Sequence, residues 1–165
     1  MKNKIIYPLS ADPITSGHVD IIERIINLFP NDEIDIVIAN NEKKKHLFSI
    51  QERLWIARSS CINLDRKVNI ISYDGILSDY ANNNNSTIMV RGIRNSTDFD
   101  YEINLEQFTR ETSNLETIYL SPYTKHLNTS SSLVRNFILS GHMDKSHKFM
   151  EVNGFNKMKE ILSNR

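Results

Sequence analysis

Between Ser10 and His18 the chain sets Ser10, Asp12, Thr15, Ser16 and His18 among small or apolar residues and Gly17. That stretch supplies hydroxyls, a carboxylate and an imidazole in one short loop. A helical pattern starts at once behind it: Val19, Ile21, Ile22, Ile25, Ile26 and Phe29 recur at spacings of three and four. A helix start carries unpaired N–H groups and a partial positive charge, so a polar loop ending there can hold phosphate. Gly17 lets a backbone or ligand approach, and His18 stands where a ring nitrogen can reach what the helix end binds. The plainer alternative is a helix capped by Thr15 or Ser16, with His18 an ordinary residue of the first turn.

Three further segments carry chemistry. Asn40-Asn41-Glu42-Lys43-Lys44-Lys45-His46 is basic. It is either a solvated loop or a means of aiming one lysine at an anion. In Arg91-Gly92-Ile93-Arg94, two guanidinium groups flank a glycine, and their forks suit phosphate and carboxylate. Asp98, Asp100 and Glu102 follow closely, so a local salt-bridge set is the competing expectation. The third segment runs from His126 to Arg135 and holds Ser130, Ser131 and Ser132 at a helix start. One serine suffices as a cap, which leaves two hydroxyls beside orphan N–H groups.

The elements that must position these groups alternate. Apolar runs at Ile5–Tyr7, Ile34–Ile38, Val68–Ile71, Ile88–Val90 and Ile118–Leu120 are expected as strands, the first breaking at Pro8. Helices are expected between them. Ser49 with Glu52 forms a capping box ahead of Leu54, Ile56, Ala57 and Ile62. A short helix follows from Ile76 to Ala81. Asp98 is expected to cap a helix through Tyr101, Leu105 and Phe108, and further helices span Ser131–Leu139, stopped by Gly141, and about Val152–Leu162. Continuous apolar strands alternating with amphipathic helices imply one α/β domain over residues 1–165. Its expected form is a Rossmann-like, doubly wound five-stranded parallel sheet with helices on both faces. Ligands of such sheets bind beyond the strand carboxyl ends, and all four segments follow strands.

Composition narrows the function. Formal net charge is zero, so no electrostatic footprint for nucleic acid is present and a small substrate is expected. The one cysteine, Cys61, excludes an internal disulfide and a multi-cysteine zinc site, and is expected to be a buried, inert thiol. No apolar run approaches the ~20 residues of a membrane helix, and a soluble cytoplasmic protein is expected. No P-loop, GxGxxG, zinc-ligand spacing or GxSxG elbow occurs. No protein-held metal is expected.

Tyr7 to His18, YPLSADPITSGH, resembles the YPGxFDPIxxGH start of the phosphopantetheine adenylyltransferase family, within the nucleotidyltransferases that share a T/HxGH signature. Leu9 stands in place of its glycine and Ala11 in place of its aromatic. RGIRNSTDFDYE, from Arg91 to Glu102, resembles the family's RGLRxxxDFxYE. Residues 129–135 resemble its ISSSxxR, with Thr129 for isoleucine and His126 in place of a frequent aromatic. The resemblance implies transfer of the adenylyl group of ATP to 4′-phosphopantetheine, with Mg²⁺ carried on the ATP phosphates and a homohexameric assembly. It implies catalytic roles for His18 and Lys44, the lysine being matched through Leu47-Phe48-Ser49. Ser10, Lys44, Leu77 and Arg91 would bind the acceptor, with Leu105 a further candidate beside its arm. Ser10, Ala11, His18, Gly92, Ile93, Arg94, Glu102, His126, Leu127, Asn128, Thr129, Ser130, Ser131 and Ser132 would bind ATP. Thr109 stands where the family usually has asparagine. Another phosphorylated acceptor within the same superfamily, or a nucleotide-binding relative without turnover, are the alternatives.

Overall fold

The computed structural model describes residues 3–40, 45–65 and 68–165. Five strands, β1 (Lys4–Leu9), β2 (Glu33–Ala39), β3 (Asn69–Tyr73), β4 (Ile88–Gly92) and β5 (Glu116–Leu120), form one sheet in the order β3-β2-β1-β4-β5. All neighbours are parallel. Among the described residues six α-helices connect or flank them: α1 (Ser16–Leu28), α2 (Ile50–Ser60), α3 (Leu77–Asn83), α4 (Ser96–Thr112), α5 (Ser131–Leu139) and α6 (Val152–Ser163). The expected fold class is therefore what forms.

Strand alternation sorts the apolar residues into two layers. Ile5, Tyr7, Ile36, Ile38 and Val90 belong to the larger core, which also takes in apolar residues of α1, α2, α5 and α6. Ile6, Val37 and Met89 point the other way, into a smaller cluster with Tyr80, Ala81 and Leu115. Both faces are covered, which is why these strands are mostly apolar; Asp35 of β2 is buried with them and accepts from Asn69 and Tyr80.

The site follows from the centre of this sheet. β1 pairs with β2 over its whole length, from Lys4 to Leu9, but with β4 only at Ile5 and Ile6. Beyond Ile6 the two central strands part and a crevice opens at their carboxyl ends, where the strand order reverses. Pro8 lies in this stretch and does not end the strand as the sequence suggested. It has a neighbour on one side only, where a missing N–H is tolerated.

Several local expectations need correcting. Asn95, not Asp98, caps α4: its side chain accepts the Asp98 N–H at 2.9 Å, and Asp98 turns its carboxylate to Arg94. Tyr101 and Phe108 are not a core face, being 50 % and 53 % exposed; α4 buries Glu106 and Thr109 instead. Cys61 closes α2 rather than lying within it, and burial lifts its thiol to about 12, so it is inert at neutral pH. Ile62 is exposed. Short 3-10 segments at Thr124–His126 and Met143–Phe149 were not foreseen. Gly141 does stop α5, with a φ of 76° that suits glycine.

Candidate active site

Two clefts open at the carboxyl ends of the strands. The first, about 490 Å³, lies over the split between β1 and β4 and is walled by the β1–α1 loop, the amino ends of α1 and α5, and Arg91, Gly92 and Arg94. The second, about 750 Å³, lies over β1 and β2 and is bordered by Leu77 of α3 and by Leu105, Phe108 and Thr109 of α4. Pro8, Leu9, Ser10, Arg91, Tyr101 and Glu102 border both. The clefts therefore meet at Ser10 and Arg91.

His18 sits at the third position of α1. The backbone N–H of Thr15 donates to its Nδ1 at 3.1 Å, and the Thr15 hydroxyl lies 2.8 Å from the same atom. This mirrors a capping box with imidazole in the place of glutamate. An Nδ1 that accepts a backbone N–H carries no proton, so in the neutral ring the proton is on Nε2. Burial, and secondarily the Arg94 charge, lower the ring from its ordinary 6.5 to about 4. At neutral pH His18 is an uncharged Nε2–H donor on the wall of the first cleft.

Arg91, next to last in β4, is 8 % exposed, and its guanidinium meets Glu102 at 2.5 Å. Arg94 is held by Asp98 through Nε at 2.8 Å and donates to the Thr129 carbonyl at 3.3 Å. The salt-bridge expectation and the anion-site expectation are both met in part: the acids orient the arginines, and both arginines still border the cleft. Gly92 has a steric reason, because a Cβ there would stand 3.1 Å from the Tyr7 hydroxyl. Gly17 has none within the protein, since a Cβ would meet His126 at an ordinary 3.6 Å. What it borders instead is the first cleft.

The serines are busier than expected. Ser130 caps α5, accepting the Leu133 N–H at 3.1 Å. The Ser131 hydroxyl donates to the Pro13 carbonyl at 2.7 Å, and Ser132 accepts from Arg135 at 3.0 Å. Ser131 serves a carbonyl of the β1–α1 loop, whereas the exposed Ser132 holds the Arg135 guanidinium within α5. Ser131, with Arg135 donating to the Asp12 carbonyl, lashes α5 to that loop and so brings two helix amino ends to one cleft.

Of the residues singled out from sequence, Ser10, Ala11, His18, Arg91, Gly92, Arg94, Glu102 and Thr129 to Ser132 border the first cleft, and Leu77 borders the second. Ile93, His126, Leu127 and Asn128 border neither; Ile93 extends the β4–β5 pairing by donating to the Leu120 carbonyl. Lys44 lies outside the described residues. Leu9 is 9 % exposed and packs in the larger core. Ala11 adopts a left-handed φ of 47°, a conformation that costs a residue with a Cβ about 1 kcal/mol or more.

Residues missed from sequence hold the loops. Arg53 of α2, 1 % exposed, donates to the carbonyls of Ser10 at 2.8 Å and Ala39 at 3.1 Å and to the Asn40 side chain at 2.9 Å. Arg135 donates to the Asp12 carbonyl at 2.6 Å and also borders the first cleft. Lys45, not missed but one of the lysines of the basic run, borders it as well.

Residues 6–137 match the model of the cytidylyltransferase-like family. A phosphopantetheine adenylyltransferase from Vesicomyosocius okutanii subsp. Calyptogena okutanii is 39 % identical over 142 residues, spanning 86 % of this chain and 88 % of that one. The chain belongs to this family. It is a nucleotidyltransferase-type enzyme, as its cleft geometry suits. Among solved structures, Thermotoga maritima TmcAL bound with alpha-thio ATP superposes with a TM-score of 0.69 at 12 % identity. That match covers 99 % of this chain, which spans just over half (56 %) of TmcAL. A lipopolysaccharide core biosynthesis protein from Thermoplasma volcanium GSS1 superposes with a TM-score of 0.53 at 17 % identity, over 74 % of this chain and 99 % of that one. At such identities the superpositions establish the fold family's architecture alone.

Proposed function

We propose that the chain transfers the adenylyl group of ATP to 4′-phosphopantetheine, releasing pyrophosphate and forming dephospho-coenzyme A. The observation that carries this is the junction of the two clefts at Ser10 and Arg91. The first cleft has the helix amino ends and cations that a nucleoside triphosphate needs. The second is bordered by Leu77, Leu105 and Phe108, apolar groups suited to a pantetheine arm, while the Thr109 hydroxyl gives its proton to the Leu105 carbonyl and offers the arm an acceptor alone. A phosphate at the junction would face both.

In the transfer, an oxygen of the acceptor phosphate attacks the α-phosphorus of ATP. One phosphorus–oxygen bond forms, the bond to the β-phosphate oxygen breaks, and pyrophosphate leaves with its electron pair. The acceptor is already ionised, so no base is required. The protein supplies alignment and stabilisation of the charge that grows on the phosphorus oxygens. Ser10 and Arg91 hold the acceptor phosphate, and Lys44 and the His18 Nε2–H act on the transferring group. Gly92, Arg94, Ala11 and Ser130 to Ser132 line the triphosphate. Glu102, Ile93 and residues 126–129 are assigned to the nucleoside end.

Mg²⁺ fits this chain as a companion of ATP. Among the described residues the carboxylates bordering the first cleft are all engaged: Asp12 by backbone amides, Asp98 by Arg94, Glu102 by Arg91. No cluster of three metal-binding side chains exists among the described residues. When bound, the ion would neutralise charge on the β- and γ-phosphates. A homohexamer in the cytoplasm completes the proposal; the exposed Phe99 on α4 is surface that further copies could cover. Among the described residues no helix is long and apolar enough to cross a membrane.

Pyrophosphate release with ATP and a panel of phosphorylated acceptors tests this. Release dependent on 4′-phosphopantetheine is expected. Release with a different acceptor alone, or with none, would replace the proposal with another transferase or a binding protein.

A further inference from the structure

Asp12 is 2 % exposed, yet it lies in the loop that forms the floor of the first cleft. Its two oxygens accept the backbone N–H groups of Leu47 and Phe48, each at 3.0 Å. The His46 ring stands 3.6 Å and the Arg135 guanidinium 3.5 Å from the same carboxylate. Arg135 also donates to the Asp12 carbonyl and to Ser132. Three segments far apart in sequence thus meet on one side chain: the β1–α1 loop, residues 45–48 and α5. On the outer side Arg165 donates to the Leu47 carbonyl at 3.1 Å and lies over the Phe48 ring at 5.1 Å.

Both oxygens of Asp12 are spent on protein donors, and a second negative charge would repel a polyphosphate. Substrate contact is therefore not its task. What it fixes is where residues 45–48 sit against the His18 loop, and with them Lys45 on the wall of the first cleft.

We infer that Asp12 is a positioning residue for adenylyl transfer, acting by clasping residues 45–48 so that Lys45 is held toward the phosphates. The inference rests on the reading of the site as a nucleotidyltransferase centre. A carboxylate is needed because two amide donors must each find an oxygen. An asparagine would turn its own NH₂ against one of them and leave that N–H without an acceptor. Small displacement at a transfer centre is costly, ~100-fold in rate for about 1 Å.

Two measurements decide it. In the wild-type protein the Leu47 and Phe48 amides, though in a loop, should exchange hydrogen as slowly as neighbouring helix amides. Exchange at open-loop rates would overturn the clasp whatever the protein catalyses. In a double-mutant cycle, Asp12→Asn should lower kcat by ~100-fold. Lys45→Ala should lower it in the wild type, but by less than about 2-fold further in the Asp12→Asn background, as expected for residues that act as a unit. Multiplying effects, or an inert Lys45→Ala, would overturn it. Absence of turnover in the wild type would count against the proposed reaction and leave the exchange result standing.

Discussion

The backbone N–H of Thr15 donates to Nδ1 of His18, and this one bond decides what the imidazole can do. It fixes the ring, assigns the proton to Nε2 and resists protonation of Nδ1. The result is a neutral donor, preorganised before any substrate binds.

Replacing His18 by alanine should therefore reduce kcat ~100- to 1,000-fold, the range for losing one preorganised donor. ATP affinity should change little, because the contact strengthens only as charge develops. Steady-state kinetics beside calorimetry with ATP check this. A normal kcat with a steep rise in KM for ATP would make His18 a binding residue.

The same ring couples folding to pH. Its value is near 6.5 unfolded and about 4 folded, so between these pH values the unfolded chain takes up a proton that the folded chain refuses. Stability from this site is intact above pH 6.5 and falls as pH drops toward 4. The loss is on the order of 3 kcal/mol for a shift of this size. Denaturant titrations at pH 7.5, 5.5 and 4.5 should show a shallower decline for His18→Gln than for the wild type. Parallel declines would mean that the ring is not held neutral.

Gly17→Ala separates folding from binding. The protein leaves room for the new Cβ, and its φ is not left-handed. Thermal stability should therefore hold or rise slightly, as alanine favours the helix. The Cβ would lie at the cleft-lining amino end of α1, and ATP affinity should fall by ~10-fold, about 1.4 kcal/mol. Unchanged ATP binding by calorimetry would show that phosphate does not approach α1.

Arg91→Ala should weaken acceptor binding more than ATP binding, by ~1.5–3 kcal/mol for a lost charge-assisted bond. The Glu102 carboxylate then loses its 2.5 Å partner and stands bare beside the acceptor phosphate, so Glu102→Gln in the same background should restore part of the acceptor affinity. Equal losses for both ligands in the single variant would mean that Arg91 is structural.

How much of this was legible in the sequence depended on range. The strands could be read because β-branched runs such as Ile34–Ile38 are buried on both faces and carry no competing pattern. The cleft residues could be located because most lie at or just beyond the carboxyl end of a strand; β4 itself runs on through Arg91 and Gly92. Local ambiguity hid the α4 cap, since Asn95 and Asp98 are both competent and only the fold sends the Asp98 carboxylate to Arg94. The spacing of Tyr101, Leu105 and Phe108 imitated a core face, yet it borders the second cleft and solvent. Asp12 and Arg135, 123 residues apart, and Arg53 with Ser10, 43 apart, are partners that no local pattern announces. The same holds for Ser131 and Pro13.

The central claim is that the α-phosphoryl end of ATP, with its adenosine, passes to the acceptor phosphate. ATP labelled with ³²P at the α position, and separately at the γ position, should be incubated with the wild-type protein, Mg²⁺ and 4′-phosphopantetheine. The account predicts that α label appears in the acceptor product and γ label in pyrophosphate. Label from the γ position in the acceptor product would contradict it.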